Sequence, residues 1–187
     1  MTDETKGQGD ATRCGFVALI GAPNVGKSTL VNALVGSKVT IVSRKVQTTR
    51  ALIRGIVIEG NAQIILVDTP GIFAPRRRLD RAMVSTAWSG AHDADLVCVL
   101  LDAKTGIDEE AEAILAKAAS VNHDKILVIN KVDLAPHVGA DLDVMRRDSL
   151  KMRGERPFMM VSLRQNEGVG EVTTWVREQL ASRATTS

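Results

Sequence analysis

The stretch from Phe16 to Val35 constrains this chain more than any other part of it. An apolar run, Phe16 to Ile20, is followed by the glycine loop GAPNVGKS at residues 21–28, and residues 29–35 have helical composition. The loop matches the pattern G-x-x-x-x-G-K-[ST], and it lies between a predicted buried strand and a predicted helix. The sequence therefore predicts a phosphate-binding loop at this strand-to-helix turn.

The residue types in this loop suit a polyphosphate. Gly21 and Gly26 let the backbone fold so that its N–H groups point at the phosphates, and the helix N-terminus adds its positive dipole end. Lys27 supplies a positive charge between the outer phosphates, and Ser28 offers a hydroxyl to Mg²⁺. The alternative is a simple turn with Lys27 and Ser28 merely exposed, but two glycines and a Lys-Ser pair at fixed spacing rarely occur by chance.

Composition limits the fold and the class of function. The 187 residues suit one domain, and 44% of them are apolar, but only 3% are aromatic and none is Tyr. A core of Val, Leu, Ile and Ala suits a sheet covered by helices on both faces. The net charge of +2 is too small to predict a nucleic-acid binder from composition.

Several features favour a cytoplasmic protein. Cys14 and Cys98 lie far apart with no metal-ligand spacing, which predicts free thiols in a reducing compartment. No stretch reaches the length of a membrane span, and the polar residues 1–13 lack the apolar segment of a signal peptide. We predict a cytoplasmic location, with a peripheral position at the inner membrane left open. We expect residues 1–13 to be a disordered tail, residues 14–183 the nucleotide-binding domain and residues 184–187 a short tail.

The remaining chain alternates strands with helices. Strands are predicted at residues 16–20, 52–58, 63–67, 95–101, 125–129 and 158–161, and the second and third are joined by a hairpin turn at residues 59–62. Helices are predicted at residues 29–35, 79–91, from 108 onward, at 141–153 and at 170–182. This order predicts an α/β P-loop NTPase fold: a doubly wound, mostly parallel sheet with one antiparallel edge strand and helices on both faces. The polar connection at residues 36–50 is long enough to suggest a switch or lid.

Two further motifs follow predicted strands. Asp68-Thr69-Pro70-Gly71 comes after a buried strand, where Asp68 can hold Mg²⁺ through its water shell and the Gly71 N–H can reach the terminal phosphate. A plain turn is the alternative for this tetrapeptide. Residues 130–133 (NKVD) follow another buried strand and indicate which nucleotide base is bound. Ligands bind at the carboxyl ends of parallel strands, so these motifs, the glycine loop and Ser162 should converge on one edge.

A carboxylate at Asp133 would distinguish guanine from adenine. It can accept hydrogen bonds from the guanine ring N–H and exocyclic amine, whereas adenine offers no such pair of donors and would leave the carboxylate unpaired. The stem of Lys131 can lie over the base, and Asn130 can brace the neighbouring loops. A P-loop ATPase or kinase is the other possibility, but it would need a different base-reading feature.

These residues resemble the translation-factor class of GTPases and, most closely, the bacterial Era family. The resemblance covers residues 14–182 and includes residues 21–32, 43–50 (SRKVQTTR), 68–71 and 130–133, of which residues 43–50 are the most family-specific. It implies a GTP-binding and GTP-hydrolysing switch in which Thr49, or its neighbour Thr48, closes over Mg²⁺. It also implies a role in assembly of the small ribosomal subunit, whose 16S rRNA the family binds through a C-terminal KH domain.

Two departures from the family pattern bear on these expectations. The chain ends at Ser187, directly after the last predicted helix, so direct RNA binding is expected to need a KH domain that this sequence does not include. Leu163 follows Ser162 where the family usually has Ala. Because the base contact there comes from a backbone N–H, Leu163 should weaken the contact rather than abolish it.

Ile72 takes the place where Ras-like GTPases carry the glutamine that positions the attacking water. Relatives with this replacement resemble a group in which a loop asparagine, here Asn24, helps to bind K⁺ that supplies transition-state charge. We therefore expect slow hydrolysis that is faster in K⁺ than in Na⁺. The alternative charge donors are an arginine of a partner, Arg44, Arg50 or one of residues 76–78.

The sequence predicts a distinct role for each group of site residues. The catalytic residues are Lys27, Asn24, Thr49 and Gly71, and the Mg²⁺ ligands are Ser28, Thr49 and Asp68. The predicted nucleotide contacts are Gly21, Ala22, Pro23, Asn24, Val25, Gly26, Lys27, Ser28, Thr29, Asp68, Thr69, Pro70, Gly71, Ile72, Asn130, Lys131, Asp133, Ser162 and Leu163. The competing functions are a nucleotide-dependent binding module with little hydrolysis and a translation-factor-class GTPase with a different partner.

Overall fold

The computed structural model describes residues 13–36, 53–59 and 62–183. The six strands are β1 (Arg13–Gly21), β2 (Ile53–Glu59), β3 (Ala62–Asp68), β4 (Leu96–Asp102), β5 (Asp124–Asn130) and β6 (Phe158–Val161). The five α-helices are α1 (Lys27–Val35), α2 (Arg78–Asp93), α3 (Glu109–Ala119), α4 (Leu142–Arg153) and α5 (Val169–Arg183), and a 3₁₀ helix covers Val132–Val138.

The strands form one sheet in the order β2-β3-β1-β4-β5-β6. Every neighbouring pair is parallel except β2 and β3, which pair antiparallel with Glu59 opposite Ala62. The predicted α/β architecture with one antiparallel edge strand is confirmed. β1 begins at Arg13, three residues before the apolar run, because its backbone pairs with β3 from Arg13 opposite Ala62 onward.

The core lies on both faces of the sheet because successive side chains of a strand point to opposite sides. In β4, Cys98 and Leu100 pack against the cluster that includes α1 and α5, whereas Val97 and Val99 pack against the cluster that includes α2 and α3. This explains why the strand sequences are continuous apolar runs. Burial also raises the pKa of the Cys98 thiol to about 12, and Cys98 and Cys14 are both free.

Local sequence signals fix the ends of the helices. The Asp108 carboxylate accepts a hydrogen bond of 2.8 Å from the Ala111 N–H at the start of α3, and the Asp141 carboxylate accepts two at the start of α4. In α5, Val172 and Val176 are buried, and Trp175 and Leu180 pack against the same cluster. The apolar stripe predicted in this helix therefore belongs to the core.

Some predictions fall outside the described residues. They include the two tails, the turn residues Gly60 and Asn61, and the predicted switch with Thr48, Thr49, Arg44 and Arg50. Within the described ranges, no helix is both long enough and apolar enough to cross a membrane.

Candidate functional site

The predicted motifs follow four strands that run in the same direction. β1, β3, β5 and β6 are parallel in the sheet, so the loops after Gly21, Asp68, Asn130 and Val161 all leave from one edge. Hydrogen bonds between residues that are far apart in the sequence connect these loops. The structure thus brings the described motifs into one site.

The glycine loop has a backbone that larger residues would not accept. Gly26 has a φ of 107°, and a Cβ placed there would lie 2.3 Å from Nδ2 of Asn130. Asn24 has a φ of 60°, in the left-handed region that asparagine tolerates better than most residues. The loop is therefore held in a specific shape between β1 and α1.

The backbone carbonyl groups of this loop hold the Lys27 side chain in place. Its Nζ donates hydrogen bonds to the carbonyl oxygens of Gly21 at 3.1 Å and Ala22 at 2.8 Å, and the side chain is only 7% exposed. Burial lowers the pKa of Lys27, and the nearby charge of Asp68 opposes this shift. The ammonium group is thus fixed at the loop with part of its hydration already removed.

Ser28 and Asp68 connect the glycine loop to the end of β3. The Ser28 hydroxyl donates a hydrogen bond of 2.7 Å to Oδ2 of Asp68, which is 4% exposed. A hydroxyl and a carboxylate are the hard oxygen donors that Mg²⁺ prefers, and together they leave room for phosphate and water ligands. This pair of oxygens fits the predicted metal site.

The loop after β3 packs directly against the glycine loop. The Ile72 N–H donates to the Gly21 carbonyl at 3.0 Å, and the Thr69 hydroxyl donates to the Leu19 carbonyl at 2.6 Å. A Cβ on Gly71 would lie 2.8 Å from Cγ of Pro23, so only glycine permits this close approach. The Ile72 side chain is 6% exposed and belongs to the core, and it has no polar atom that could orient a reacting water.

Asn130 joins the phosphate side of the site to the base side. Its Nδ2 donates to the Val25 carbonyl at 2.8 Å, and its Oδ1 accepts from the Leu163 N–H at 3.2 Å. Asn130 is 3% exposed, so both hydrogen bonds are shielded from water. One amide therefore fixes the spacing between the glycine loop and the loop after β6, and the Leu163 side chain is buried in the core.

The base-side residues are oriented by partners of their own. Oδ1 of Asp133 accepts a hydrogen bond of 2.7 Å from the Ser162 hydroxyl, and Ser162 is fully buried. Nζ of Lys131 lies 2.5 Å from Oδ2 of Asp102, which ends β4. These contacts fix the directions of the carboxylate and of the lysine stem on the side of the site predicted to hold guanine.

Known proteins share this sequence and geometry. A family model described as 50S ribosome-binding GTPase matches residues 16–131. The chain belongs to this GTPase family. Within the family, GTPase Era of Bradyrhizobium diazoefficiens is 72% identical over 181 residues, which are 96% of this chain and 58% of that protein. The predicted kinship with the Era family is confirmed, and the chain spans a little over half the length of this relative.

Two solved structures of the family support the fold. A crystal structure of Era in complex with MgGDPNP and nucleotides 1506–1542 of 16S ribosomal RNA matches with a TM-score of 0.73 and 33% identity. The match covers 90% of this chain and 57% of the Era chain in that structure. A crystal structure of a single-residue variant of Aquifex aeolicus Era bound to GDP·AlF₄⁻ matches with a TM-score of 0.69 and 32% identity over 90% of this chain and 57% of that one.

Two features of this GTPase domain were missed by the sequence analysis. Asp102 pairs with Lys131, and the signal that could have found it is its place as a carboxylate at the end of an apolar strand. The Ser162 hydroxyl also donates a hydrogen bond to Asp133, whereas the sequence predicted only a backbone contact in that loop. Residues that orient a ligand-binding group are harder to predict than the group itself, because their partners are distant in sequence.

A cavity next to the site borders it only at Asp102. This cavity of about 800 Å³ between α3 and α4 is lined by residues such as Leu115, Met145 and Arg153, and none of the described motif residues lines it.

Proposed function

We propose that this domain binds GTP with Mg²⁺, hydrolyses it to GDP and phosphate, and acts as a switch in assembly of the small ribosomal subunit. The observation that carries the proposal is the pair of buried hydrogen bonds made by Asn130 to the Val25 carbonyl and the Leu163 N–H. This amide holds a phosphate-binding loop and a base-reading loop at a fixed distance. A nucleoside polyphosphate offers a group to each of these loops, whereas free phosphate offers none to the second.

The base side of the site favours guanine. The Ser162 hydroxyl occupies Oδ1 of Asp133 and turns the carboxylate, which can then accept from the ring N–H and amino group of guanine. The ion pair with Asp102 directs the Lys131 stem along the base. Adenine would leave a charged acceptor unpaired, which sites of this kind reject by about 10⁴ or more.

The phosphate side supplies charge and orientation. Lys27 offers a positive charge to the outer phosphates, and the backbone N–H groups of the loop and the α1 N-terminus add donors. Ser28 and Asp68, with Thr49 as the further predicted ligand, would hold Mg²⁺, which when bound neutralises charge on the β- and γ-phosphates. The Gly71 N–H is proposed to reach the terminal phosphate, which would tell the loop after β3 whether that phosphate is present.

Equilibrium titration of the purified chain tests this proposal. We expect GTP and GDP to bind in the presence of Mg²⁺ and ATP to bind at least about 10³-fold more weakly, because the Asp133 carboxylate would remain unpaired. Equal affinity for ATP, or no binding of either nucleotide, would refute the proposal. Tight GTP binding without release of phosphate over a long incubation would instead favour a binding module with little hydrolysis.

Potassium dependence tests the source of transition-state charge. We expect hydrolysis to be at least about tenfold faster in K⁺ than in Na⁺ and expect Asn24→Gly to abolish the difference, because a side-chain oxygen is lost. Glycine is the suitable replacement because Asn24 has a φ of 60°, which alanine would strain. Phosphate release is measured in each salt, with Asn166→Gly as the matched control, because Asn166 also has a left-handed φ of 58° but lies in the turn after Ser162, on the base side rather than at the phosphates.

The ribosomal partner is the finer part of the proposal. The name of the matching family refers to the 50S subunit, whereas an Era structure contains 16S ribosomal RNA. We favour the small subunit, because the 72% identical relative is an Era protein. A cytoplasmic location, with peripheral contact at the inner membrane as the alternative, belongs to the same proposal.

A further inference from the structure

A groove between α2 and α3 has a composition suited to an anion. It has a volume of about 410 Å³, and its walls include Arg81, Ser85, Trp88, Ser89, His92 and Lys117. None of the described residues that line it is acidic. We call this surface the α2–α3 groove. It lies on the face of the sheet that carries α2 and α3.

The polar groups of the groove follow one side of α2. Arg81, Ser85, Ser89 and His92 of the groove, with Arg78 just before its end, are spaced by three or four residues, which places them on one helical face. From Arg78 to His92 this face is about 20 Å long at the helical rise per residue. The row of donors is thus much longer than a single phosphate group.

The cations of the groove are free to meet a ligand. Among the described residues, neither Arg78 nor Arg81 forms an ion pair. Nζ of Lys117 lies 4.8 Å from the centre of the Trp88 ring, a neutral partner that leaves its positive charge uncompensated. Arginine is well suited to phosphate because its planar group can donate two parallel hydrogen bonds.

Three carboxylates near the groove keep their negative charge, and one of them, Asp93, accepts a hydrogen bond of 3.5 Å from the Ser89 hydroxyl. Oδ2 of Asp80 accepts from the N–H groups of Arg76 and Arg77 at the start of α2, and Oε1 of Glu110 accepts from the Ala74 N–H. These two carboxylates are therefore engaged in fixing the loop before α2. The exposed arginines at residues 76–78 extend the basic surface beyond the end of the groove.

We propose that the α2–α3 groove binds the phosphodiester backbone of RNA. A row of cations and hydroxyls along one helix suits a flexible chain of regularly spaced phosphates. The inference rests on the proposed function, since that function places the domain on a ribosomal subunit. It differs from it in assigning an RNA contact to this domain itself.

RNA binding measured as a function of salt tests this inference. The probe is a fluorescently labelled single-stranded RNA of mixed sequence, about 20 nucleotides long so that it exceeds the groove. In the Arg81→Gln/Lys117→Gln variant, two phosphate contacts are lost. We expect the slope of log K against log salt to become shallower by about 1.4 and the affinity at 0.1 M salt to fall about 25-fold.

The matched control removes the same charges elsewhere. Arg146→Gln/Lys151→Gln changes two exposed cations of α4 and should leave the slope within about 0.3 of the unchanged chain. Equal slopes for the two double variants, or no RNA binding by the unchanged chain, would overturn the inference. Ser85→Glu, which places a negative charge in the groove, should reproduce the loss and provides a second variant if the first does not fold.

Two further measurements separate this inference from the proposed function. GTP affinity should be unchanged in both double variants, whereas absence of GTP binding by the unchanged chain, with RNA binding intact, would refute the proposed function alone. Preferential binding to vesicles containing phosphatidylserine, reduced by the same pair of substitutions, would replace RNA by a lipid surface and overturn the assignment.

Discussion

Replacing Asp133 by asparagine is expected to lower the affinity for GTP by about 10² to 10⁴. The carboxylate is predicted to accept two hydrogen bonds from guanine, and charge-assisted bonds contribute about 1.5–3 kcal/mol each. An asparagine amide would present a donor where guanine also donates. Xanthosine triphosphate, which carries a carbonyl in place of the amino group, should bind the variant better than GTP does.

The effect of Asp133→Asn on the fold should be small. The asparagine carbonyl can still accept from the Ser162 hydroxyl, which lies 2.7 Å from Oδ1 of Asp133. Titration with both nucleotides and thermal unfolding of the nucleotide-free chain measure the two effects. Asp143→Asn on exposed α4 is the control. Unchanged GTP affinity in Asp133→Asn would show that this carboxylate does not read the base.

Lys27→Met is expected to reduce GTP affinity by about 10² and the rate of hydrolysis by about 10² to 10³. The substitution removes the cation that would lie between the outer phosphates, in a site where Lys27 is already withdrawn from water. Methionine has a similar length but no charge. Binding titration and single-turnover phosphate release measure the two losses, with Lys151→Met on exposed α4 as control.

The same substitution should not destabilise the nucleotide-free domain. Burial lowers the pKa of Lys27 from its ordinary value of 10.5, so the charged form is less favourable in the folded state than in the unfolded one. Between the lowered pKa and 10.5, the unfolded chain binds more protons, and the free energy of unfolding rises with pH. Lys27→Met should lack this rise. A lower melting temperature at neutral pH would contradict this account of Lys27.

The proposed reaction involves the loop before α2, whereas the proposed RNA contact involves α2 itself. The loop before this helix follows Asp68 and Gly71, whereas Arg81 and His92 lie further along it. An RNA strand in the α2–α3 groove would therefore contact the element that directly follows the loop proposed to sense the terminal phosphate. Binding of RNA and of nucleotide can be coupled only if the two affect the position of this helix differently.

The sequence predicted those features that depend on neighbours along the chain. The glycine loop could be predicted because Gly21, Gly26, Lys27 and Ser28 form a contiguous pattern between an apolar run and a helix. The sheet could be predicted because buried strands appear as continuous apolar runs that alternate with helices. The chemistry of Asp68 and Asp133 followed from their position directly after such strands.

Only the tertiary structure decided how these groups are held. The sequence predicted no contact for Asp102 or for the Ser162 hydroxyl. In the structure, each orients a base-side residue that lies 29 positions away in the sequence. For Asn130 the sequence predicted a bracing role, but only the structure shows its partner, the Val25 carbonyl, 105 positions away. The chain by itself determined which reactive groups exist and at which strand ends they lie, because those depend on local patterns. Their directions depend on which loops meet in space, and that is set by the order of strands in the sheet.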